Sequence, residues 1–175
     1  YFCDTNFTIN RKRLFEFCEL LRSQPIALEW TCSTRVDLVD REILTAMKAA
    51  GCRKIYYGVD SLCKTILPAI GRNFTPEIAV KNLNLSVDCG LEVEANVIIG
   101  FPSETTESVM ETYSYRKQLH PDVRLIVRPL KIMPGGPLYH HALKEGFKED
   151  YWLTDHGSEF QNYTGSMSEK RILEY

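Results

Sequence analysis

A parallel α/β fold is predicted by two observations. Strand-like runs alternate with amphipathic helical stretches about every 25–30 residues, the period of a βα unit. Each of the five strand-like runs in this 175-residue chain is followed by a polar loop and then a helix, the connection that parallel strands require. The connection lengths fit a (β/α) barrel or a doubly wound sheet, and periodicity alone does not choose between them.

Phe2-Cys3 ends the first strand. Asn10 caps a helix to about Arg22, with Leu14, Phe17, Cys18 and Leu21 on one face, and Pro25 stops it. The second strand is Ile26 to Cys32; Asp40 caps the next helix, whose Ile43, Leu44 and Met47 form an apolar stripe ended by Gly51. Lys54 to Tyr57 is the third strand. A short helical stretch near Leu62–Ile70 precedes Thr75-Pro76, the cap and first residue of a helix ending at Gly90. Val93 to Ile99 is the fourth strand, Thr105 or Thr106 caps the following helix, and Val123 to Val127 is the fifth strand, broken by Pro129. Pro137 starts a last short helix to Lys144, closed by Gly146. Residues 1–146 therefore read as the core, and 147–175, with Trp152, Phe160 and Tyr163 but no clear period, as a covering tail or extension.

Charge is balanced, with 21 Lys and Arg against 23 Asp and Glu, so no basic stripe signals a nucleic-acid partner. No apolar run is long enough to span a bilayer, and a soluble, cytoplasmic protein is expected. Six cysteines, at 3, 18, 32, 52, 63 and 89, contain no C-x-x-C pair, against a zinc ribbon or a disulfide framework. His140-His141 point to different helix faces, so no metal site is expected there. Opening on Tyr1-Phe2-Cys3-Asp4 without an initiator Met suggests a piece of a longer protein.

In parallel βα folds the chemistry collects beyond the C-terminal ends of strands. Those positions hold Asp4, Thr5 and Asn6; Ser33, Thr34, Arg35 and Asp37; Gly58, Asp60 and Ser61; Gly100, Pro102 and Glu104; and Lys131 with Met133-Pro134-Gly135-Gly136-Pro137. Polar groups of both signs suit a ligand with an ammonium, a carboxylate and a ribose better than a phosphate ester. Bland roles compete: Asp4, Asp37 and Ser61 as turn formers, Arg35 as a partner of Asp37, Arg72 as a solvated cation, and Gly58, Gly100 and Gly135-Gly136 as strand-exit turns.

Five of these stretches, Phe2-Cys3-Asp4-Thr5-Asn6-Phe7-Thr8, Trp30-Thr31-Cys32-Ser33-Thr34-Arg35-Val36-Asp37, Tyr57-Gly58-Val59-Asp60-Ser61, Ile98-Ile99-Gly100-Phe101-Pro102-Ser103-Glu104-Thr105 and Met133-Pro134-Gly135-Gly136-Pro137-Leu138-Tyr139, resemble in order and spacing the strand exits of radical S-adenosylmethionine (radical SAM) enzymes. They are most similar to the subgroup usually carrying a cobalamin-binding domain, which includes anaerobic magnesium-protoporphyrin monomethyl ester cyclase-like proteins and B12-dependent methylases. The resemblance implies a partial (β/α)6 TIM-like barrel missing its first βα unit. It also implies a parent enzyme, an oxidative cyclase or methyltransferase, that uses a four-iron four-sulfur cluster to cleave S-adenosylmethionine reductively and start radical chemistry on an organic substrate. By the same resemblance Asp4 faces the cofactor's amino group, Asp60 lies beside its methionine moiety, Arg72 partners its carboxylate, Asn96 contacts the ribose, Ile98 meets the adenine, and Arg35 and Gly100 complete the cofactor-binding set. The family's C-x-x-x-C-x-x-C loop, whose thiolates hold the cluster, is absent from the chain, which on its own is expected to be inactive.

Further implied partners are a small-molecule substrate, porphyrin-like among other options, a reductant such as flavodoxin or ferredoxin, and cobalamin on a separate domain. An exposed barrel edge predicts dimerisation. Two other readings remain: a non-catalytic binding or scaffold module, and a phosphate-binding TIM-barrel lyase or isomerase, for which Lys131 is the candidate residue.

Overall fold

The computed structural model describes residues 1–25, 27–144, 146 and 167–174. Strands β1 (Trp30–Arg35), β2 (Cys52–Asp60), β3 (Glu92–Ile99) and β4 (Val123–Pro129) form one parallel sheet in chain order. Between and around them run α1 (Arg11–Ser23), α2 (Arg41–Ala49), α3 (Ile66–Ala69), α4 (Pro76–Asp88), α5 (Thr106–Ser114), α6 (Pro137–Lys144) and α7 (Glu169–Leu173).

Helix starts follow the capping residues. Asn10 Oδ1 accepts from Arg13 N at 3.0 Å and Asp40 Oδ1 from Ile43 N at 2.9 Å. Thr75 caps α4 ahead of Pro76, and Thr105 forms a reciprocal box with Ser108. Gly51 ends the turn after α2 with φ +91°, and a Cβ there would lie 2.0 Å from Leu28 O, so only glycine fits.

Side-chain burial decides between barrel and doubly wound sheet. Leu14 and Cys18 of α1, Ile43, Leu44 and Met47 of α2, and Ala79, Val80 and Leu83 of α4 pack with Cys32, Ile55, Tyr57, Val93 and Ala95. Val109 of α5 packs with Val97 and Ile99. All four helices thus cover one face of a sheet whose strands lie in sequence order. A doubly wound sheet would carry helices on both faces and reverse its strand order; this is a section of (β/α) barrel wall. Completely buried Leu44, Met47 and Tyr57 each contribute about 2–3 kcal/mol of burial energy to that wall.

The opposite face is left open by these helices. It presents Ser33, Tyr56, Glu94 and Arg124 in one register row and Arg35, Gly58, Asn96 and Ile126 in the next. Direct contacts confirm the shared face: Lys54 Nζ donates to Glu94 at 2.9 Å and lies 4.4 Å from the Tyr56 ring centre, and Tyr1 bonds Ser33 at 2.6 Å.

Several strand limits differ from the sequence expectation. The second strand is Trp30–Arg35 rather than Ile26 to Cys32; Leu28 is exposed, Ile26 lies outside the described residues, and polar Ser33 and Arg35 belong to the strand because their face is not packed by helices. The third extends to Cys52–Asp60, and the fifth runs on through Pro129, an edge position where the missing N–H costs no ladder bond. The expected first strand is a single parallel bridge from Phe2 to Cys32 among the described residues. The N-terminal segment is instead held by a cluster of Phe2, Phe7, Phe17 and Trp30, with ring centroids 5.2 to 5.6 Å apart.

Most of the expected tail, including Trp152, Phe160 and Tyr163, lies outside the described residues. Within its described residues, 167–174, Met167 and Ile172 pack against Val97, Ile99 and Val109.

Candidate functional site

Two ion pairs mark the C-terminal ends of β1 and β2. Arg35 donates from Nε at 2.9 Å and from Nη2 at 2.7 Å to the two oxygens of Asp37, a forked geometry. Arg72 donates from Nε at 2.7 Å, and also from Nη2, to one oxygen of Asp60. The pairs sense each other: desolvation would raise the Asp37 carboxyl, but Arg35 and then Arg72 outweigh it and hold it below its ordinary value, while Asp37 first and Asp60 after it raise Arg35.

Local backbone geometry sets up Asp60. The β2–β3 register shifts between Gly58 and Asp60, and Asp60 has φ +63°, a left-handed conformation that Asp adopts more readily than most residues. The following loop is pinned by α5. Thr112 Oγ1 accepts from Leu62 N and bonds Ser61 Oγ, both at 3.2 Å, and Glu111 accepts from Lys64 N at 3.1 Å and Cys63 Sγ at 3.0 Å. Ser61 is fully buried and serves this anchor.

At the end of β3, Gly100 turns with φ +109° and its N–H donates to Glu104 Oε2 at 2.6 Å. Burial raises the Glu104 carboxyl, and the Gly100 and Phe101 N–H groups pull the other way without cancelling it. Glu104 thereby latches the exit loop. Next to it on the open face, Arg128 Nε donates to Asn96 Oδ1 at 3.4 Å. After the Phe2 bridge, Asn6 Oδ1 accepts from Thr34 Oγ1 at 2.7 Å, and Thr34 also bonds Thr8 Oγ1 at 2.6 Å.

Arg35, Asp60, Arg72 and Asn96 thus gather along the open face and its C-terminal rim. Asp4 does not join them; it pairs with Arg13 of α1 at 3.3 Å. Ile98 is half-buried against the group of Cys63, Ile66, Phe101 and Leu130, and Gly100 sits inside the Glu104 latch. Arg72 is paired rather than free in solvent. Two residues of this face stand outside the sequence-predicted set: Tyr56, which lies within a strand rather than beyond its end, and Arg128, which belongs to a strand that continues past Val127; the alternation Arg124, Ile126, Arg128 is their signal in the sequence.

The thiols do not form a cluster site. Burial pushes Cys18 up to about 11, and the hydrogen bond to Cys52, with burial, pushes Cys32 up as well, so both stay protonated. Among the described residues no group of three His, Cys, Asp or Glu is placed to hold a metal ion, and no helix is long and apolar enough to cross a membrane.

Known proteins share the family and the fold. The family model described as "Radical SAM superfamily" matches residues 1–115. An uncharacterised methyltransferase of Pyrococcus horikoshii is 33% identical over 144 residues, 81% of this chain and 31% of that protein. An anaerobic magnesium-protoporphyrin IX monomethyl ester cyclase of Rubrivivax gelatinosus is 31% identical over 122 residues, 69% of this chain and 22% of that protein. In fold the chain is similar to the radical S-adenosylmethionine methyltransferase TsrM of Kitasatospora setae with cobalamin and a [4Fe-4S] cluster bound, with a TM-score of 0.67 at 19% identity over 82% of this chain and 28% of that one. It is also similar to coproporphyrinogen III oxidase (HemN) of Escherichia coli, with a TM-score of 0.66 at 21% identity over 95% of this chain and 35% of that one. The chain spans about a third or less of the length of these relatives. With its half-barrel wall, its polar open face and a family match across most of its length, the chain belongs to the radical SAM superfamily.

Proposed function

We propose that this chain forms the S-adenosylmethionine-binding and substrate-facing wall of a radical SAM enzyme acting on a small organic molecule as an oxidative cyclase or methyltransferase. Residues 1–146 are its core and 147–175 a covering extension. S-adenosylmethionine, bound beside a four-iron four-sulfur cluster held by thiolates from elsewhere in the protein, supplies the radical chemistry. This chain alone holds no cluster and is inactive.

Its own residues bind and orient. Asp60 occupies two of the five N–H donors of Arg72, which leaves Nη1 for the cofactor carboxylate. Asp60 lies beside the cofactor's methionine moiety, and Asp4, which stands apart in its pair with Arg13, reaches the amino group only by giving up that pair. Asn96 offers an amide to the ribose, Ile98 an apolar surface to the adenine, Arg35 stays charged beside them, and the Glu104 latch fixes Gly100. A cobalamin-binding domain outside this chain fits the relationship to cobalamin-containing neighbours.

The observation that carries the reading is the floor of the open face at Gly58. It stands mid-strand, flanked in register by Arg35 and Asn96, and a Cβ there would meet only Asp60 Oδ1, at 4.0 Å. No positive φ demands glycine here, and although the β2–β3 register shifts just after it, we read the open space over Gly58 as room for a molecule lying against the strand. Gly58→Ala in the full-length, cluster-reconstituted protein should leave thermal unfolding unchanged or slightly raised, by at most about 1 kcal/mol. It should weaken S-adenosylmethionine binding in equilibrium dialysis by tenfold or more. Unaltered binding would remove the site from this face.

A further inference from the structure

Among the described residues, the Lys and Arg side chains of the open face and of the β1 and β2 exits are compensated with one exception. Arg35 has Asp37 and Arg72 has Asp60; Lys54 and Arg124 share Glu94, at 2.9 and 3.9 Å. Arg128 has no carboxylate partner among the described residues, and its only hydrogen bond there is the 3.4 Å contact from Nε to Asn96. It is exposed, it lies in register with Ile98 at the C-terminal end of the sheet, and Ile126 separates it from Arg124 on the same face.

We infer that Arg128 binds a carboxylate of the organic substrate, whose apolar body lies along Ile126. A guanidinium whose two terminal nitrogens are unengaged presents the fork that matches a carboxylate in two parallel hydrogen bonds. A phosphate ester would call for a second cation or a helix N-terminus, and the nearest cation along the strand, Arg124, is drawn toward Glu94 one strand-width away. Arg124 also stands four residues earlier, about 13 Å along the strand, too far to share a single anion with Arg128. Nothing in the cofactor roles assigned above uses Arg128: the Asp60–Arg72 pair meets the amino acid end, and Asn96 alone meets the ribose. The negative group that completes the face therefore comes with the substrate. This inference rests on the reading of the open face as the cofactor and substrate wall.

The test uses the full-length, cluster-reconstituted protein with S-adenosylmethionine present, and octanoate, octanamide and octyl phosphate as probes in calorimetric titrations. Octanoate should bind saturably and at least tenfold more tightly than octanamide. Arg128→Gln should abolish that preference, and Arg124→Gln should preserve it. S-adenosylmethionine binding, measured in parallel by equilibrium dialysis, should change in Arg128→Gln by well under the tenfold expected of Gly58→Ala, because only the long 3.4 Å contact to Asn96 is lost. Equal binding of octanoate and octanamide, no saturable octanoate binding, a preference that survives Arg128→Gln, or octyl phosphate binding tenfold more tightly than octanoate would each overturn the inference. If any of these occurs while cofactor binding is intact and still sensitive to Gly58→Ala, only the substrate assignment fails; loss of that sensitivity defeats the underlying reading instead.

Discussion

Arg72 gives two of its N–H groups to a single oxygen of Asp60, a residue held in a left-handed backbone conformation twelve positions earlier. The pair is largely buried, with side chains 25% and 13% exposed, so neither partner can be lost without leaving the other poorly solvated. Arg72→Ala should lower S-adenosylmethionine affinity tenfold or more and also reduce the unfolding temperature. Arg72→Lys should restore charge and most of the stability but little of the affinity, because an ammonium lacks the fork. Equilibrium dialysis and thermal melts on the full-length protein separate the two effects.

Thr34 joins Asn6 and Thr8 through one buried hydroxyl. Thr34→Val keeps the shape and removes the hydroxyl, so the buried Thr8 hydroxyl loses its partner and half-buried Asn6 Oδ1 keeps only the Arg35 N–H, at 3.4 Å. Urea unfolding should show a loss of about 1–3 kcal/mol. A loss well below that range would mean that the N-terminal segment is not docked on β1 in solution.

Glu104 serves as acceptor for the loop after β3. Glu104→Ala should cost about 1–3 kcal/mol because the Gly100 and Phe101 N–H groups lose their acceptor, and Glu104→Gln should cost less. The pH dependence has a definite sign. With a folded-state pKa above the ordinary 4.5, the folded protein holds this proton more tightly, so its contribution to stability falls as pH rises from 4.5 through the raised value. Denaturant midpoints of the parent should therefore decline over that window relative to Glu104→Gln.

Asp40 works in the opposite direction. Partial desolvation is outweighed by the Ile43 N–H and Arg11, and its carboxyl lies below the ordinary 3.8. Its contribution is present above 3.8 and disappears as pH falls through the lowered value. Asp40→Asn retains the capping oxygen but carries no charge, so its midpoint should lose less than the parent's between pH 4 and the acid limit.

Helix starts were legible because the information is local: Asn10, Asp40, Thr75 and Thr105 each satisfy an N–H three residues on. Strand limits were less so. Apolar runs mark strands buried on both faces, whereas β1 is packed on one, and half-buried Thr31, Ser33 and Arg35 alternate with buried Trp30, Cys32 and Thr34. The pairing of Arg35 with Asp37 was readable from their closeness in sequence, while Thr112 with Ser61 and Glu94 with Lys54 join residues 51 and 40 positions apart, whose proximity only the tertiary fold creates. Arg128 was hidden for a related reason: Pro129 suggested that the strand ended early, when it continues along the sheet edge.

The one-sided packing of the sheet gives this chain a simple rule of mutability. Along each strand, neighbouring positions answer to different physical demands: Cys32, Tyr57, Ala95 and Val97 lock the helices in place, while Ser33, Tyr56, Asn96, Ile126 and Arg128 bear little of the core. A library varied only at the second set would redraw the shape and charge of the concave wall while the hydrophobic interior stayed the same, so new chemistry could be explored here with little loss of folding competence.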